Sequence, residues 1–151
     1  MDERIWNIIV DSFVPLLKAG VAFTVPLTLI TFALGLVVAV LTALARLSSF
    51  GPLRQLARFY VWIIRGTPLL VQLFIIFYGL PSIGIVLDPF PAAVIGFTLS
   101  VGAYGSEIVR AAILSIHAGQ WEAAYSLGMT RLQALRRIIL PQAARVSVPP
   151  L

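Results

Sequence analysis

The sequence predicts an all-α protein that crosses a membrane several times. Of its 151 residues, 60% are hydrophobic and only 11% are charged, and the mean hydropathy is +0.99. Soluble domains carry about 25% charged residues, and 11 basic plus 6 acidic side chains do not cover the surface that a soluble domain of this size needs. Long uncharged runs divided by short connections predict helices as the spanning elements.

Three uncharged runs predict three transmembrane helices. They contain 27, 22 and 18 residues, at 19–45, 66–87 and 89–106. About 20 residues, rising about 1.5 Å each, cross a bilayer core, so the first two runs suffice. The third suffices if its helix continues past Glu107 toward Ile113. We predict spans near 20–44, 59–80 and 90–113, joined by short turns at 46–58 and 81–91.

Arginine placement predicts the orientation. Residues 46–65 hold four Arg and no acid, and residues 114–145 hold four Arg and one acid, whereas the opposite side has two basic and four acidic residues. By the positive-inside rule the Arg-rich segments are cytoplasmic and the N-terminus is outside. Within residues 1–18, polar side chains recur at helical spacing opposite isoleucines, which predicts an external interfacial helix broken at Pro15.

Several function classes are excluded by what the sequence lacks. It has no Cys, and His117 is its only His, so no thiolate or HExxH-type metal site is expected. Lys18 is the only Lys and follows no glycine-rich run, so any nucleotide hydrolysis belongs to another subunit. The basic residues stand at the ends of apolar runs, which is typical of membrane topology and not of nucleic-acid binding. We expect no catalytic residue, metal ligand or cofactor in this chain.

Polar residues inside the predicted spans are the candidate substrate contacts. Gln72 lies deep in the second span, and Tyr104, Glu107 and Arg110 fall three apart along one face of the third. An acid inside a span usually faces a cavity or a partner. The alternative is a Glu107–Arg110 pair near the cytoplasmic end, partly drawn toward the headgroups. Both interpretations stay open, and such a pair is also able to bind the carboxylate and ammonium of a zwitterion.

Glycine, proline and other small residues predict how the spans bend and pack. Gly66 and Pro68 predict a kink in the second helix. Small residues recur every four positions in the first and third helices, which predicts close packing within the chain in preference to a homodimer face. These positions are Thr31, Gly35, Ala39 and Ala43 in the first helix and Ala92, Gly96 and Ser100 in the third.

Residues 114–145 predict two cytoplasmic helices that meet at Gly128. A glycine there is able to end the first helix in a left-handed cap, and Ala123 and Ala124 are small enough for close approach of a partner surface. The second helix, over 129–139, combines Arg with aliphatic residues and is amphipathic. Pro141 is expected to turn the chain back toward the membrane. Anionic lipid and a protein partner are comparable alternatives for this surface.

Several runs resemble a known family. Glu122-Ala-Ala, Gly128 and Ile139-Leu-Pro141 resemble the EAA loop of bacterial ABC-importer permease subunits. Further runs are similar to the polar amino-acid permeases for histidine, glutamine, arginine and cystine: Arg65-Gly-Thr-Pro-Leu-Leu-Val-Gln-Leu-Phe74, Tyr104-Gly-Ser-Glu-Ile-Val-Arg110 and Gly119-Gln-Trp-Glu-Ala-Ala124. Two runs, Leu87-Asp-Pro-Phe-Pro91 and Leu140-Pro-Gln-Ala-Ala-Arg-Val146, look most like the L-cystine branch.

This resemblance implies a MetI-like permease subunit of the bacterial cytoplasmic membrane, with three of the usual five transmembrane helices present and a fourth beginning at 146–151. The implied partners are a cytoplasmic ABC ATPase subunit that holds ATP and Mg, a second permease subunit and an extracytoplasmic amino-acid-binding protein. The implied ATPase-coupling residues are Glu122, Ala123, Ala124, Gly128, Leu140 and Pro141. The residues expected near the substrate path are Gln72, Tyr104, Glu107 and Arg110.

Two other function classes compete with the ATP-driven importer. An ion-coupled carrier fragment would use Glu107 as a proton relay, and its transport would depend on a proton gradient rather than on ATP. An intramembrane enzyme would need a nucleophile–base set or metal ligands in the spans. The enzyme is the weakest hypothesis, because the lone His117 lies in the cytoplasmic segment.

Overall fold

The computed structural model describes residues 3–150, without the side chains of Glu3 and Trp6. The described residues form helices, turns and loops, with no strand. The α-helices are α1 (Glu3–Ala19), α2 (Val25–Arg46), α3 (Gly51–Gly66), α4 (Leu69–Phe74), α5 (Pro89–Ser115), α6 (Ala118–Ser126), α7 (Arg131–Ala134) and α8 (Leu140–Ser147). Three π-turns (Gly20–Thr24, Ile75–Gly79 and Leu135–Ile139) and a 3₁₀ turn (Leu80–Ile83) extend or join them.

Two helices, Asn7–Arg46 and Pro89–Ser115, are long and apolar enough to cross a membrane. A third span exists if the bent pair Gly51–Gly66 and Leu69–Ile83 is counted as one. Counted in that way, the structure has the three spans that the sequence predicts. The first helix begins 13 residues before the predicted start at residue 20, and the bent pair begins eight residues before the predicted start at residue 59. The third span differs by one or two residues at each end.

The N-terminal helix does not break where the sequence predicted. Pro15 lies inside α1, and α1 passes through the π-turn Gly20–Thr24 directly into α2. Proline removes only one backbone donor, and a helix satisfies the remaining polar groups of an apolar segment. The predicted interfacial helix at 1–18 is therefore continuous with the first span, and its first two residues lie outside the described part.

The second predicted span is divided into two helices. α3 begins at Gly51, eight residues before the predicted start, because Pro52 fits the first turn of a helix, where no backbone donor is needed. The kink predicted at Gly66 and Pro68 is confirmed, but as a bend of 104°. Thr67 is extended, with φ −116° and ψ 138°, which is the region that a residue before proline prefers.

Helices α2 and α5 form the largest contact between helices, and small residues line it. Gly35 faces Val101, and a Cβ at Gly35 would lie 2.5 Å from Val101 Cγ1. A Cβ at Gly102 would lie 2.5 Å from Val38 Cγ1 and 2.9 Å from the Tyr60 hydroxyl. The predicted packing of the small-residue faces within the chain is confirmed at six of the seven positions: Thr31, Gly35, Ala39, Ala43, Ala92 and Gly96 are buried. The seventh, Ser100, is partly buried.

The C-terminal helices pack on the end of α5. Helix α7 continues through the π-turn Leu135–Ile139 into α8, so the chain does not turn at Pro141 as predicted. The buried positions of this segment are separated by five, four and four residues. They are Ala134, Ile139, Ala143 and Ser147. The interval of five spans the π-turn, whose extra residue keeps the same face directed toward the core. Ile139 and Ala143 join Ala43, Val109, Ala112 and Ile113 in a common core.

Each π-turn stands immediately before a proline-containing turn. The residues that precede Pro26, Pro81 and Pro141 donate their backbone N–H to the carbonyl five residues earlier. Proline in a helix clashes with the carbonyl four residues before it, and a wider turn relieves that clash. This pattern explains why Pro26 and Pro141 do not end their helices, whereas the turn that contains Pro81 ends at Ile83.

Candidate functional site

Glu107 of α5 is the centre of a charged cluster that joins three helices. Its Oε1 accepts a hydrogen bond from Arg46 Nη1 at 2.6 Å and lies 3.2 Å from Arg65 Nη1. Its Oε2 accepts hydrogen bonds from Arg110 Nε at 3.2 Å and Nη2 at 3.0 Å. The predicted Glu107–Arg110 pair is confirmed, and Arg46 of α2 and Arg65 of α3 join it. The cluster therefore fixes the ends of α2 and α3 to α5.

The cluster opens into a cavity of about 450 Å³ between α3 and α5. Tyr104 stands at its edge, half exposed, with the Arg65 guanidinium 5.3 Å from the centre of its ring. Arg58 and Trp62 of α3 line the same cavity. A cation over an aromatic face at this distance is attracted to the ring. Three of the four predicted substrate-path residues (Tyr104, Glu107 and Arg110) therefore belong to one connected group.

Gln72 lies apart from this cluster and holds the break between α3 and α4. Its Nε2 donates to the Ile64 carbonyl at 2.7 Å and to the Thr67 carbonyl and hydroxyl at 3.0 and 3.1 Å. Gln72 is buried, with only 8% of the residue exposed. These bonds satisfy carbonyls that the helix loses where Pro68 interrupts it. Gln72 thus positions the bend and does not meet the other three predicted residues.

The second candidate surface is α6 with the turn that follows it. His117 caps the helix start, because its Nδ1 accepts a hydrogen bond from the Gly119 backbone at 3.1 Å. At the other end Gly128 has φ +75°, and Met129 and Gly128 donate to the carbonyls of Ala124 and Tyr125 at 3.1 and 2.9 Å. This is a Schellman cap, so the predicted left-handed termination at Gly128 is confirmed.

The predicted coupling residues divide into an exposed and an inward group. Glu122, Ala123, Gly128 and Pro141 are exposed. Ala124 is 2% exposed, and Leu140 packs against the core formed by α5 and α8. A partner that docks here would touch the exposed group, while the inward group seats the helices that carry it.

A groove of about 580 Å³ lies beside this surface. Leu47, Ile116 and Trp121 line it, together with Leu132, which is 73% exposed. Arg131 Nη2 donates to the Leu47 carbonyl at 3.3 Å, and Gln142 Nε2 donates to Gln120 Oε1 at 3.1 Å. These two bonds tie the start of α7 to the end of α2, and α8 to α6.

Sequence reasoning missed two features of these sites. It assigned Arg46 and Arg65 to topology alone, whereas both lie within 4.0 Å of Glu107. An acid at membrane depth needs cationic partners, and this need could have indicated that Arg46 and Arg65 lie near Glu107. It also missed the capping box of Thr130 and Gln133 that starts α7, which the spacing of these two residues could have indicated.

Comparisons with known proteins agree on one family. A family model described as binding-protein-dependent transport system inner membrane component matches residues 35–151. The chain is 58% identical to the L-cystine transport system permease protein TcyB of Bacillus subtilis (strain 168), over 97% of this chain and 62% of that protein. It is 39% identical to the arginine transport system permease protein ArtQ of the same organism, over 86% of this chain and 60% of that protein. The chain thus spans about three fifths of the length of these relatives.

A solved structure supports the fold. The crystal structure of an amino acid ABC transporter with histidines matches with a TM-score of 0.85 and 38% sequence identity, over 95% of this chain and 67% of the matched chain.

Proposed function

The chain belongs to the family of binding-protein-dependent transport system inner membrane components, and from this premise we propose that it is the membrane-spanning subunit of an ATP-driven importer of a polar amino acid. The proposal is supported above all by the match of residues 35–151 to that family, and the likeness to a solved amino acid ABC transporter agrees with it. We propose L-cystine as the substrate, because the relative that is 58% identical is described as an L-cystine permease. The protein is not itself an enzyme in this proposal.

The proposed partners are a cytoplasmic ABC ATPase subunit, a second permease subunit and an extracytoplasmic amino-acid-binding protein. ATP and Mg would bind the ATPase. The proposed orientation puts α6 and α8 in the cytoplasm and the N-terminus outside, on the Arg distribution in the sequence. In this orientation α6 presents Glu122 and Ala123 to the ATPase.

The proposed coupling works through packed helices. Trp121 of α6 packs against the core in which Ile139 and Ala143 contact α5. Close-packed side chains transmit displacement because they leave little free volume. A motion imposed on α6 by the ATPase would therefore reach α5, where Glu107 binds Arg46 and Arg65.

Co-purification of the chain with the ABC ATPase from the same membranes tests the coupling surface. Glu122→Arg reverses the charge of an exposed residue and should remove the ATPase from the purified complex. The matched control is Arg137→Glu, which reverses an exposed charge in the π-turn Leu135–Ile139, outside the predicted coupling set. Equal ATPase recovery with wild type and Glu122→Arg would contradict the proposed surface.

Transport in vesicles tests the importer against the ion-coupled carrier. Uptake of labelled L-cystine by vesicles that contain the partner subunits should require ATP and should continue when the proton gradient is dissipated. Uptake that requires the gradient, persists without ATP and disappears in Glu107→Gln would favour the carrier. Competition by other amino acids then measures the proposed selectivity.

Substrate contact is proposed for Tyr104, Glu107 and Arg110, and an indirect effect on the path for Gln72. Tyr104 is supported by its exposed ring beside the cavity, whereas Gln72 is buried in the helix break. Tyr104→Ala should raise the KM for the amino acid and leave assembly with the ATPase intact. An unchanged KM would remove Tyr104 from the proposed path.

A further inference from the structure

The cavity between α3 and α5 holds more positive charge than its acid compensates. Arg46, Arg58 and Arg65 line it, and Glu107 is the sole acid among the described side chains of the lining. Arg110 also binds Glu107, so three guanidinium groups pair with one carboxylate and Arg58 is a fourth in the same neighbourhood. Glu107 lies eight residues before the end of α5, about 12 Å along the helix axis.

Glu107 has no capacity left for the remaining cation. Each of its oxygens already faces guanidinium nitrogens at 2.6–3.2 Å. Among the described side chains, Arg58 has no acidic group within 4.0 Å. The Nε of Arg46 is buried and has no hydrogen-bond partner in the described structure. Arg58 is therefore the cation of the lining that none of the described acids pairs, and it is exposed, so an anion from outside the chain is able to reach it.

The surroundings of the cavity favour a lipid as the source of that anion. Helix α3 carries Arg54, Arg58 and Arg65 and no acid. Beside them the rings of Phe59 and Trp62 stack with centroids 6.0 Å apart and are 57% and 71% exposed. Basic residues interleaved with exposed aromatic rings are typical of a helix at the headgroup level of a bilayer. The 104° bend after Gly66 turns α3 away from the direction of α4.

We propose that this cavity binds the phosphate of an anionic phospholipid from the leaflet beside α3, held by Arg58 and Arg65. Guanidinium groups bind phosphate through paired hydrogen bonds. The exposed rings of Phe59 and Trp62 would contact the glycerol and upper acyl chains of the same lipid. Tyr104 and Glu107, for which substrate contact is proposed, line the same cavity, so L-cystine is the competing occupant in the test. Lipid binding is measured without ATP or uptake, so its failure is distinguishable from a failure of transport.

Native mass spectrometry of the purified chain in mild detergent tests the proposal. The probes are phosphatidylglycerol and phosphatidylcholine, added at equal concentration. Wild type should retain phosphatidylglycerol preferentially. Arg58→Gln should lower the apparent affinity for phosphatidylglycerol about tenfold, the effect of losing one charged hydrogen-bonding group. Arg58→Lys should retain part of that affinity, because lysine keeps the positive charge but lacks the forked guanidinium group. The matched control Arg136→Gln removes the charge of another exposed arginine, in the π-turn before α8, and should retain wild-type binding.

Competition separates lipid from the other anions that suit these donors. Inorganic phosphate and L-cystine are added to the lipid-bound protein, and neither should release phosphatidylglycerol. Release by L-cystine would assign the cavity to a substrate carboxylate and overturn the lipid proposal. Three other results would also overturn it. They are release of the lipid by inorganic phosphate, equal retention of the two lipids, and an equal loss of affinity in Arg58→Gln and Arg136→Gln. Arg58 is exposed, and a monodisperse gel-filtration peak verifies that each variant is folded.

Discussion

Replacement of Glu107 by Gln keeps the shape of the side chain and removes the charge that three guanidinium groups share. The amide retains one acceptor oxygen for Arg46 but offers an N–H group where Arg110 now donates to Oε2. Three ion pairs of 2.6, 3.2 and 3.0 Å are lost together. The guanidinium groups then repel each other without a central anion. We expect a lower free energy of unfolding.

The burial of the four side chains sets the magnitude. Glu107 and Arg46 are 24% and 14% exposed, and Arg110 and Arg65 are 32% and 44% exposed. Removing one partner of an exposed pair costs about 0–1 kcal/mol, and removing one partner of a buried pair costs about 3–5 kcal/mol. This partly buried cluster lies between those limits, at about 2–3 kcal/mol. For a chain of this size the midpoint of thermal unfolding should fall by about 5–10 °C.

Thermal unfolding of the purified chain in one detergent, followed by intrinsic tryptophan fluorescence, measures this difference. Glu122→Gln is the control, because it makes the same chemical change at an exposed position of α6 where no ion pair forms among the described residues. Its midpoint should stay within about 1 °C of wild type. Equal midpoints for Glu107→Gln and wild type would refute the reasoning that the cluster joins α2, α3 and α5.

Three further changes test the packing and the helix ends. Gly102→Ala puts a methyl group 2.5 Å from Val38 and should cost about 1–3 kcal/mol, whereas Gly66→Ala meets open space and should change the unfolding midpoint little. Gly128→Ala should cost about 1 kcal/mol, because φ is +75° there, and amide hydrogen exchange should increase at the end of α6. Gln72→Leu leaves carbonyls of the break without their donor, so the spin-label distance between α3 and α4 should become broader; an unchanged distribution would assign the bend to Pro68 alone.

Features that depend on one local rule were predictable from the sequence. Gly128 ends α6 because glycine readily adopts positive φ, and the sequence placed that cap correctly. The small residues of α2 predicted close approach, and Gly35 does face Val101 across that contact. The Glu107–Arg110 pair followed from helical spacing alone.

Features that depend on distant parts of the chain were not predictable in this way. Arg46 lies 61 positions from Glu107 in the chain, and neither residue indicates the other without the packing of α2 on α5. The size of the bend at Pro68 is likewise a tertiary property, because Gln72 completes it from the following helix. The continuation of α8 past Pro141 required a π-turn, and nothing in the hydrophobic pattern distinguishes a π-turn from a helix end.

The last turns of α5 connect the two candidate surfaces. Glu107 and Arg110 face the arginine cluster, while Val109 and Ile113, within the same two turns, face the C-terminal core. Because α5 is a continuous helix of 27 residues, the two faces move together. A displacement of α8 then has two possible results: it shifts the Glu107 carboxylate relative to Arg46 and Arg65, or it opens a void in the core. The void costs more free energy, because the interior is closely packed. In the proposed importer, this arrangement would carry a displacement of the surface around α6 to the charged cluster.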